Sequence, residues 1–478
     1  MPEQLPGKRR FVVFGVVALA LLISTMNLTV AFVILPDMQQ GLRTSLVWVG
    51  WTITAYQLAQ SVSMSLAGRI SDRYGRRRVF LVALAVFAAG SAASALAPNI
   101  ASHIFFRMVA ALGGGAIMPV AAGIVSLEFP KHRAQVIGLF SSIMPMGWIV
   151  GPTFGGFVVN ELSWRWAFVL PVPIALAALA GGWLLVRETS ERVARRLDVR
   201  GALLLSGAIV CFMLALSLLR NDNGAIVAAG WALLVGSGPA MWLFWRHELR
   251  TPEPIVDLAL LRLRPFVASN LYGIIWGGVS IGSSAFIPLY AQVQYGFDSA
   301  RAGGMLIGLE LALAGGSALT SILLLKRYGY RPLLLVGVVI LTLSMLVVGM
   351  GWFRLPPETV PVYWVLWVIL AIAGLGMGIQ APPSNNAGIE LLPNRVSSIV
   401  GLRGMFRFAG SVMSTTVIFF VLAGFEDEAR GIEVVYLALG LVLLLAIPLI
   451  FLMPTGREKP LTEAATRQAS RGAGASAG

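Results

Sequence analysis

Apolar residues run along this chain in long blocks separated by short polar segments. A helix that crosses the hydrocarbon of a bilayer needs about 20 predominantly apolar residues. On that measure the blocks predict helices over 11–36, 46–68, 79–97, 100–125, 135–158, 166–186, 201–219, 225–245, 266–290, 302–325, 332–352, 360–385, 396–423 and 433–453. The fold expected is therefore an all-α membrane protein with 14 transmembrane helices. The first block follows Lys8, Arg9 and Arg10 and extends to Pro36. That is longer than the roughly 7–15 residues of a signal-peptide core, so it reads as a retained first helix.

The polar segments orient these helices. With the N-terminus inside, alternate segments hold 29 of the 36 Lys and Arg residues, as expected for inner loops. Arg403 and Arg407 join the inner set only if helix thirteen begins later than residue 396. Arg43, Arg165, Arg220, Arg301, Arg354 and Arg430 lie singly in outer loops, and Arg107 lies within a helix. Removing one helix would invert every later loop and spoil the alternation. An even number of helices places both termini on the cytoplasmic side of the cell (inner) membrane. Residues 1–10 are then a cytoplasmic N-terminus. Residues 455–478, rich in Ala, Gly, Ser and charge, form a tail expected to be disordered.

Composition narrows the function. Of 478 residues, 57% are hydrophobic and 12% charged, against about 25% charged in a soluble domain. Mean hydropathy is +0.81, so lipid is the solvent for most of the chain. The net charge of +14 sits in short clusters between apolar blocks, without the aromatic–basic stripes of single-strand binders. It reports membrane orientation, and no nucleic-acid partner is expected. Cys211 is the single cysteine, and His103, His132 and His247 match no metal spacing. No HExxH, Walker loop or Ser/His/Asp grouping is present, and Gly113-Gly114-Gly115 lies within a helix without a following Gly-Lys-Ser/Thr. The chain is not expected to be an enzyme, nor to hold a metal or an organic cofactor.

Two loops repeat. Arg73-Tyr74-Gly75-Arg76-Arg77 follows helix two, and Arg327-Tyr328-Gly329-Tyr330-Arg331 follows helix ten. Pro36 precedes the first by 37 residues and Pro288 the second by 39. Two similar halves that both start inside imply parallel repeats about an axis along the membrane normal. The domains are then a six-helix bundle over 11–190, a linker with two inserted helices over 191–265, and a second six-helix bundle over 266–454.

The residues also carry a family resemblance. Gly68-Arg69-Ile70-Ser71-Asp72-Arg73-Tyr74-Gly75-Arg76-Arg77-Arg78 resembles the loop between helices two and three of major facilitator superfamily transporters. Gly147-xxx-Gly151-Pro152-xx-Gly155-Gly156 in helix five resembles the antiporter motif of drug–proton exchangers. Ser163-Trp164-Arg165-Trp166-Ala167-Phe168, Leu197-Asp198-Val199-Arg200-Gly201 and Pro288-Leu289-Tyr290 look like marks of the fourteen-helix branch of those exchangers. The resemblance covers about 11–453. It implies a major-facilitator-like fold and proton-coupled export of hydrophobic or cationic drugs and toxic compounds by alternating access. This chain departs from the branch at two points: Asn27 stands where an acid is usual, and Arg107 is followed by Ala110 and Ala111 where Gln-Gly is usual.

The motifs have physical readings. By resemblance, Gly68, Asp72, Arg73, Gly75 and Arg76 form a gating loop; a basic loop that merely binds anionic lipid is the alternative. Gly147, Gly151 and Gly155 recur every four residues and so share one helix face, which lets backbones approach closely. By resemblance, this face with Pro152 and Gly156 seals the two halves on the outer side. Arg107 lies about 10 Å deep and Asn27 about 13 Å deep at 1.5 Å per residue, depths compatible with contact. Snorkelling of Arg107 to the outer interface is the alternative. Glu310 is a carboxylate about 12 Å from the outer face. It should face a cavity or a partner, either to exchange protons, to attract a cationic substrate, or as a structural acid. Tyr56, Gln57, Gln60, Trp276, Asn385 and Asn386 are candidate cavity linings, with helix packing as the alternative for each.

Two transport functions are consistent with these residues. The first is proton-coupled efflux of hydrophobic or cationic compounds, with protons as the coupling ion. The second is export of a specific lipid or metabolite with different or no proton coupling. In both, the partners expected are a small-molecule substrate and membrane lipid, and the protein is a monomer.

Overall fold

The computed structural model describes residues 7–129, 143–188, 198–219, 224–251, 263–284, 286–351, 362–389 and 396–455. The expected tail, apart from Thr455, the start of the fifth predicted helix and the side chain of Asp72 lie outside the described residues. Water is absent from a bilayer core, so each spanning segment must satisfy its backbone internally, and helices do this. The described helices are α1 Gly7–Thr29, α2 Leu46–Tyr74, α3 Arg76–Leu96, α4 Ile100–Glu128, α5 Ile143–Glu161, α6 Pro171–Leu185 and α7 Val199–Leu218. They continue with α8 Gly224–Glu248, α9 Arg264–Ser284, α10 Ser299–Leu319, α11 Tyr330–Gly349, α12 Val362–Ile389, α13 Val396–Leu422 and α14 Glu428–Leu444. Each predicted stretch falls on one of them. Among the described residues, 11 helical segments are long and apolar enough to cross a membrane. A count of fourteen spans is compatible with this arrangement.

Several ends are written in local chemistry. Asn99, Asp198, Asp298 and Asp427 each precede a helix, and each side chain accepts from a first-turn backbone N–H. This satisfies one of the donors that a helix start leaves orphaned. The first predicted block does not continue to Pro36 as one helix. It tightens into a 3-10 turn at Val30–Phe32 and restarts as Leu35–Gly41 with Pro36 in the first turn, where its missing N–H costs nothing. The ninth block likewise passes into a second helix, Phe286–Tyr295.

The repeat reappears in the packing. In the first half α1 packs on α5 and α6, α4 on α2 and α3, and α3 on α6. In the second half α9 packs on α13 and α14, α12 on α10 and α11, and α11 on α14. Adding eight to each first-half label yields the second-half pair. The two seams between the halves, α5 with α10 and α2 with α13, obey the same rule. Helices α7 and α8 pack on each other, and α7 rests on α2 and α13, along one seam. Large apolar side chains such as Trp183, Val235, Trp242, Leu343 and Trp364 are exposed, as a lipid-facing surface requires.

The two repeated loops share one backbone device. Gly75 has φ +100 and Gly329 φ +74, a region that glycine enters without steric cost. Their N–H groups close the preceding helices onto Ser71 and Leu325 carbonyls at 3.0 and 3.1 Å. The end of the molecule that carries these loops is called the inner end below.

Candidate transport site

The deepest charge in the first half is Arg107. Its helix, α4, carries Gly113, Gly114 and Gly115 one to two turns further on, and these let α2 and α3 approach. The Arg107 side chain is fully buried. It donates to the Asn27 backbone carbonyl at 3.1 Å and to the Asn27 Oδ1. Its guanidinium lies 4.1 Å from the Tyr56 ring centroid and 5.0 Å from that of Phe168, a cation–π arrangement that partly replaces lost hydration. Asn27 Nδ2 in turn donates to Ser91 Oγ at 3.3 Å. Asn27, Tyr56 and Arg107 are thus one cluster, and Arg107 is held inside the bundle and does not snorkel. An amide in place of a carboxylate leaves the cluster with a formal positive charge.

Removing the amide should be costly. Asn27→Leu strips a buried charged group of its side-chain acceptor and leaves only the backbone carbonyl, a loss worth roughly 3 kcal/mol. The expected result is a clear fall in the thermal midpoint of the purified protein, while Asn27→Asp, which supplies a counter-charge, stays near wild type. Equal midpoints for Asn27→Leu and wild type would show that Arg107 does not depend on this contact.

Glu310 projects from α10 into the space between the halves. It is 4% exposed. It lines a narrow cleft with Leu28, Thr29 and Phe32 from the first half, Trp148 and Pro152 from α5, and Ile281, Ser284 and Leu306 from the second half. Its Oε2 has no hydrogen-bond partner among the described residues. Thr29 and Trp148 bring polar atoms to the same walls.

The antiporter-like motif divides between two neighbours. A Cβ on Gly147, Gly151 or Gly155 would meet Thr25 or Thr29 of α1, or Val30 just after it, within the same half. The Thr29 hydroxyl donates to the Gly147 carbonyl at 3.3 Å. By contrast, Gly156 faces the Ser299 and Ala300 backbone, and the Pro152 carbonyl faces Gly303, across the seam on α10. The four-residue glycine face is therefore taken up by α1, and the seal to the other half is made by the adjacent ridge of Pro152 and Gly156. Two more contacts close this outer end: Gln292 Nε2 donates to the Val33 carbonyl at 2.9 Å, and Ser299 Oγ donates to Asp37 Oδ2 at 3.3 Å.

Asp37 lies in the short helix beyond the first span, and burial pushes its carboxyl above the usual carboxylate range, against the lowering effect of the Ser299 bond. A raised value in the closed seam means that closure favours the protonated acid. The outer-closed state is then favoured at low pH and loses that advantage as pH rises through the Asp37 value. Distances between spin labels at Gln40 and Arg301 should lengthen with rising pH, and Asp37→Asn should flatten the response. A pH-independent distance in the wild type counts against this linkage.

The inner loop is anchored within its own half. Arg76 Nη1 donates to the Gly123 carbonyl at 2.8 Å, and Arg77 Nη2 to the Trp183 carbonyl at 2.6 Å. Arg78 pairs with Glu188 at 3.5 Å. Arg73 is exposed and lies 5.3 Å from the Tyr74 ring centroid. A Cβ at Gly68 would meet nothing within 4 Å.

The remaining expected linings disperse. Gln57 accepts from Ser411 Oγ at 3.1 Å across the α2–α13 seam. Gln60 is buried against α4, where its carbonyl abuts Gly115. Trp276 lies under Arg407, whose Cζ is 4.5 Å from the ring centroid, and Arg407 Nη2 donates to Asn385 Oδ1 at 2.9 Å. Asn386 is half-buried beside them. Arg403 and Arg407 are not inner-loop residues, because α13 begins at Val396 and carries both as helical residues. The signal was present in the sequence, because both fall inside the apolar stretch 396–423.

Two pseudo-equivalent six-helix halves around a closed outer seam and a buried acid define a transporter architecture. A sequence profile of the Major Facilitator Superfamily matches residues 17–415, and this chain belongs to that family. It is 30% identical over 411 residues to "Multidrug resistance protein 3" of Bacillus subtilis (strain 168), covering 85% of this chain and 78% of that protein. It is 28% identical over 449 residues to "Methylenomycin A resistance protein" of Streptomyces coelicolor, covering 92% of each. Such relatives accord with the resemblance to the drug–proton antiporter branch. The inward-open xylose transporter XylE of E. coli shares the fold at a TM-score of 0.66 and 14% identity, over 97% of this chain and 99% of that one. The protein is a multi-pass membrane transporter, not an enzyme.

Proposed function

We propose that this transporter exports hydrophobic small molecules from the cell by alternating access, with protons as the coupling ion. The observation that carries this reading is Glu310, a buried carboxylate on α10 facing the cleft between the halves. An acid there is costly to leave charged without a partner. It can take a proton when the cleft meets one side and release it when the cleft meets the other. The closed outer seam at Pro152 and Gly156 is the element that must part for release outward. The names of the resistance relatives support export as the direction. The positive-inside pattern supports placement in the cell membrane with both termini cytoplasmic. A monomer is sufficient, since the cleft lies within one chain.

A specific observation favours a second reading, export of a particular metabolite or lipid. Asn27 leaves Arg107 without the usual helix-one acid, so a second proton-carrying group is missing from that cluster. Flux in proteoliposomes under an imposed pH gradient tests both. Uphill movement of several unrelated hydrophobic compounds that stops when the gradient is collapsed supports the first reading. Flux of one compound that ignores the gradient removes proton coupling and supports the second.

A further inference from the structure

The second half holds a pair of intramembrane arginines that the proton-coupling reading does not use. Arg403 and Arg407 lie one turn apart on α13, so they share a face. Ser411, one turn further, meets Gln57 about 16 Å into α2 at 1.5 Å per residue. Arg407 is therefore about 6 Å, and Arg403 about 12 Å, on the inner side of that level. Arg403 is 6% exposed. It donates to Ser269 Oγ on α9 and to Ser384 Oγ on α12, the latter at 3.0 Å. Arg407 stacks on Trp276 and is held by Asn385.

Nothing described neutralises these charges. Among the described residues neither guanidinium pairs with a carboxylate. Arg403 Nε and Arg407 Nε are buried without a hydrogen-bond partner, as is the indole N–H of Trp276. Hydroxyl and amide oxygens position the two forks but carry no counter-charge. A buried cation left unpaired is strongly unfavourable, and a fork of N–H donors matches a carboxylate or phosphate in a bidentate manner.

The cluster is also accessible. Asn385 is exposed and Arg407 only half-buried. On α12 the lipid-facing stripe is Trp364, Val368, Ile372 and Leu375. Asn385 lies ten residues beyond Leu375, which at 3.6 residues per turn turns it about 80° from that stripe. Asn385 accepts from Arg407 on α13, so its exposed side chain borders the α12–α13 groove and lies off the lipid stripe.

We propose that Arg403 and Arg407 form a binding site for an anionic group, a carboxylate or phosphate on an amphipathic substrate that enters from the inner end. The proposal deepens the exporter reading by naming a substrate class. It shifts the expectation from cationic toward anionic or zwitterionic compounds, because the cluster carries two formal positive charges and, among the described residues, no carboxylate pairs with either.

Equilibrium binding to the purified full chain in a nonionic detergent tests this, with no gradient imposed. The probes are 1-naphthoate and its neutral isostere 1-naphthamide, read by isothermal titration calorimetry. The expected result is that naphthoate binds at least roughly tenfold more tightly than naphthamide, the scale of one charge-assisted contact. Arg407→Gln and Arg403→Gln should each erase that preference, and Glu310→Gln should keep it. Arg407→Lys, which keeps the charge and loses the fork, guards against a folding defect and should retain a reduced preference. Short-chain phosphatidylglycerol as competitor separates the two sources of the anion: displacement of naphthoate assigns the site to a lipid headgroup, and no displacement assigns it to free organic acids. Equal affinity for the two probes, no binding of naphthoate up to millimolar concentration, or a preference that survives Arg407→Gln overturns the proposal. Because binding is read without flux, a failure of proton coupling in proteoliposomes leaves this result standing, and the reverse also holds.

Discussion

Glu310→Gln is expected to abolish substrate accumulation driven by a pH gradient, by roughly 100-fold or more if the carboxyl is the proton carrier, while substrate counterflow without a gradient persists. The two side chains have nearly the same shape, so the cleft walls of Leu28, Phe32, Trp148 and Leu306 keep their packing. What changes is that the amide cannot gain or lose a proton. A carrier of this kind still rocks and exchanges substrate, but its conformational cycle is no longer tied to the proton gradient. Wild-type accumulation in the variant would remove Glu310 from the mechanism. Loss of counterflow together with accumulation would place Glu310 in substrate binding instead of coupling.

The second large effect is expected at Gly156. A Cβ there would meet the Ser299 and Ala300 backbone across the seam. Backbone in a helix start cannot swing aside as a side chain can, so Gly156→Val should hold the two halves apart at the outer end. Transport is expected to fall by more than about tenfold, since overpacking a close helix contact costs on the order of 1–3 kcal/mol. In a Cys211→Ser background, cysteines at positions 37 and 299 should be joined by a short bis-methanethiosulfonate reagent in the parent, because the bond from Ser299 Oγ to Asp37 Oδ2 at 3.3 Å places the two side chains side by side across the seam. Gly156→Val should suppress that cross-link. Gly236→Ala on α8 is the control: a Cβ there would meet nothing within 4 Å, so the cross-link should stay unchanged. An undiminished cross-link with Gly156→Val would mean that this contact does not govern closure.

Much of the architecture was legible in the chain because a bilayer imposes simple rules. Long apolar blocks must become helices, and the loops must sort their arginines to one side. Most block boundaries therefore fall within a few residues of the helices, although the first and last blocks run past the ends of α1 and α14, and the Arg73–Arg77 and Arg327–Arg331 loops anticipate two halves whose contacts repeat helix for helix. Depth was legible too: counting 1.5 Å per residue placed Asn27 and Arg107 at comparable levels, and they are bonded.

Azimuth was the harder quantity. Hydropathy is nearly uniform around a membrane helix, so it does not say which neighbour a face meets. The glycines every four residues on α5 pointed to close packing, but only the packed structure shows that α1 takes that face while Pro152 and Gly156 take the seam. Along the chain Gln57, Trp276 and Asn385 stand out only as polar or aromatic residues in apolar helices, and their partners Ser411 and Arg407 come from a helix more than a hundred residues away for Gln57 and Trp276.

What the sequence determined by itself is therefore the solvent, the helices, the repeat and the family resemblance, all consequences of composition and spacing along one dimension. Only the tertiary structure decided which charges share an enclosure. Glu310 faces the cleft, Arg107 is held by Asn27 and Tyr56, and Arg403 with Arg407 meets Ser269, Ser384, Trp276 and Asn385. The physical reason is that a buried charge is defined by what surrounds it, and those surroundings are assembled from helices that lie far apart in the chain.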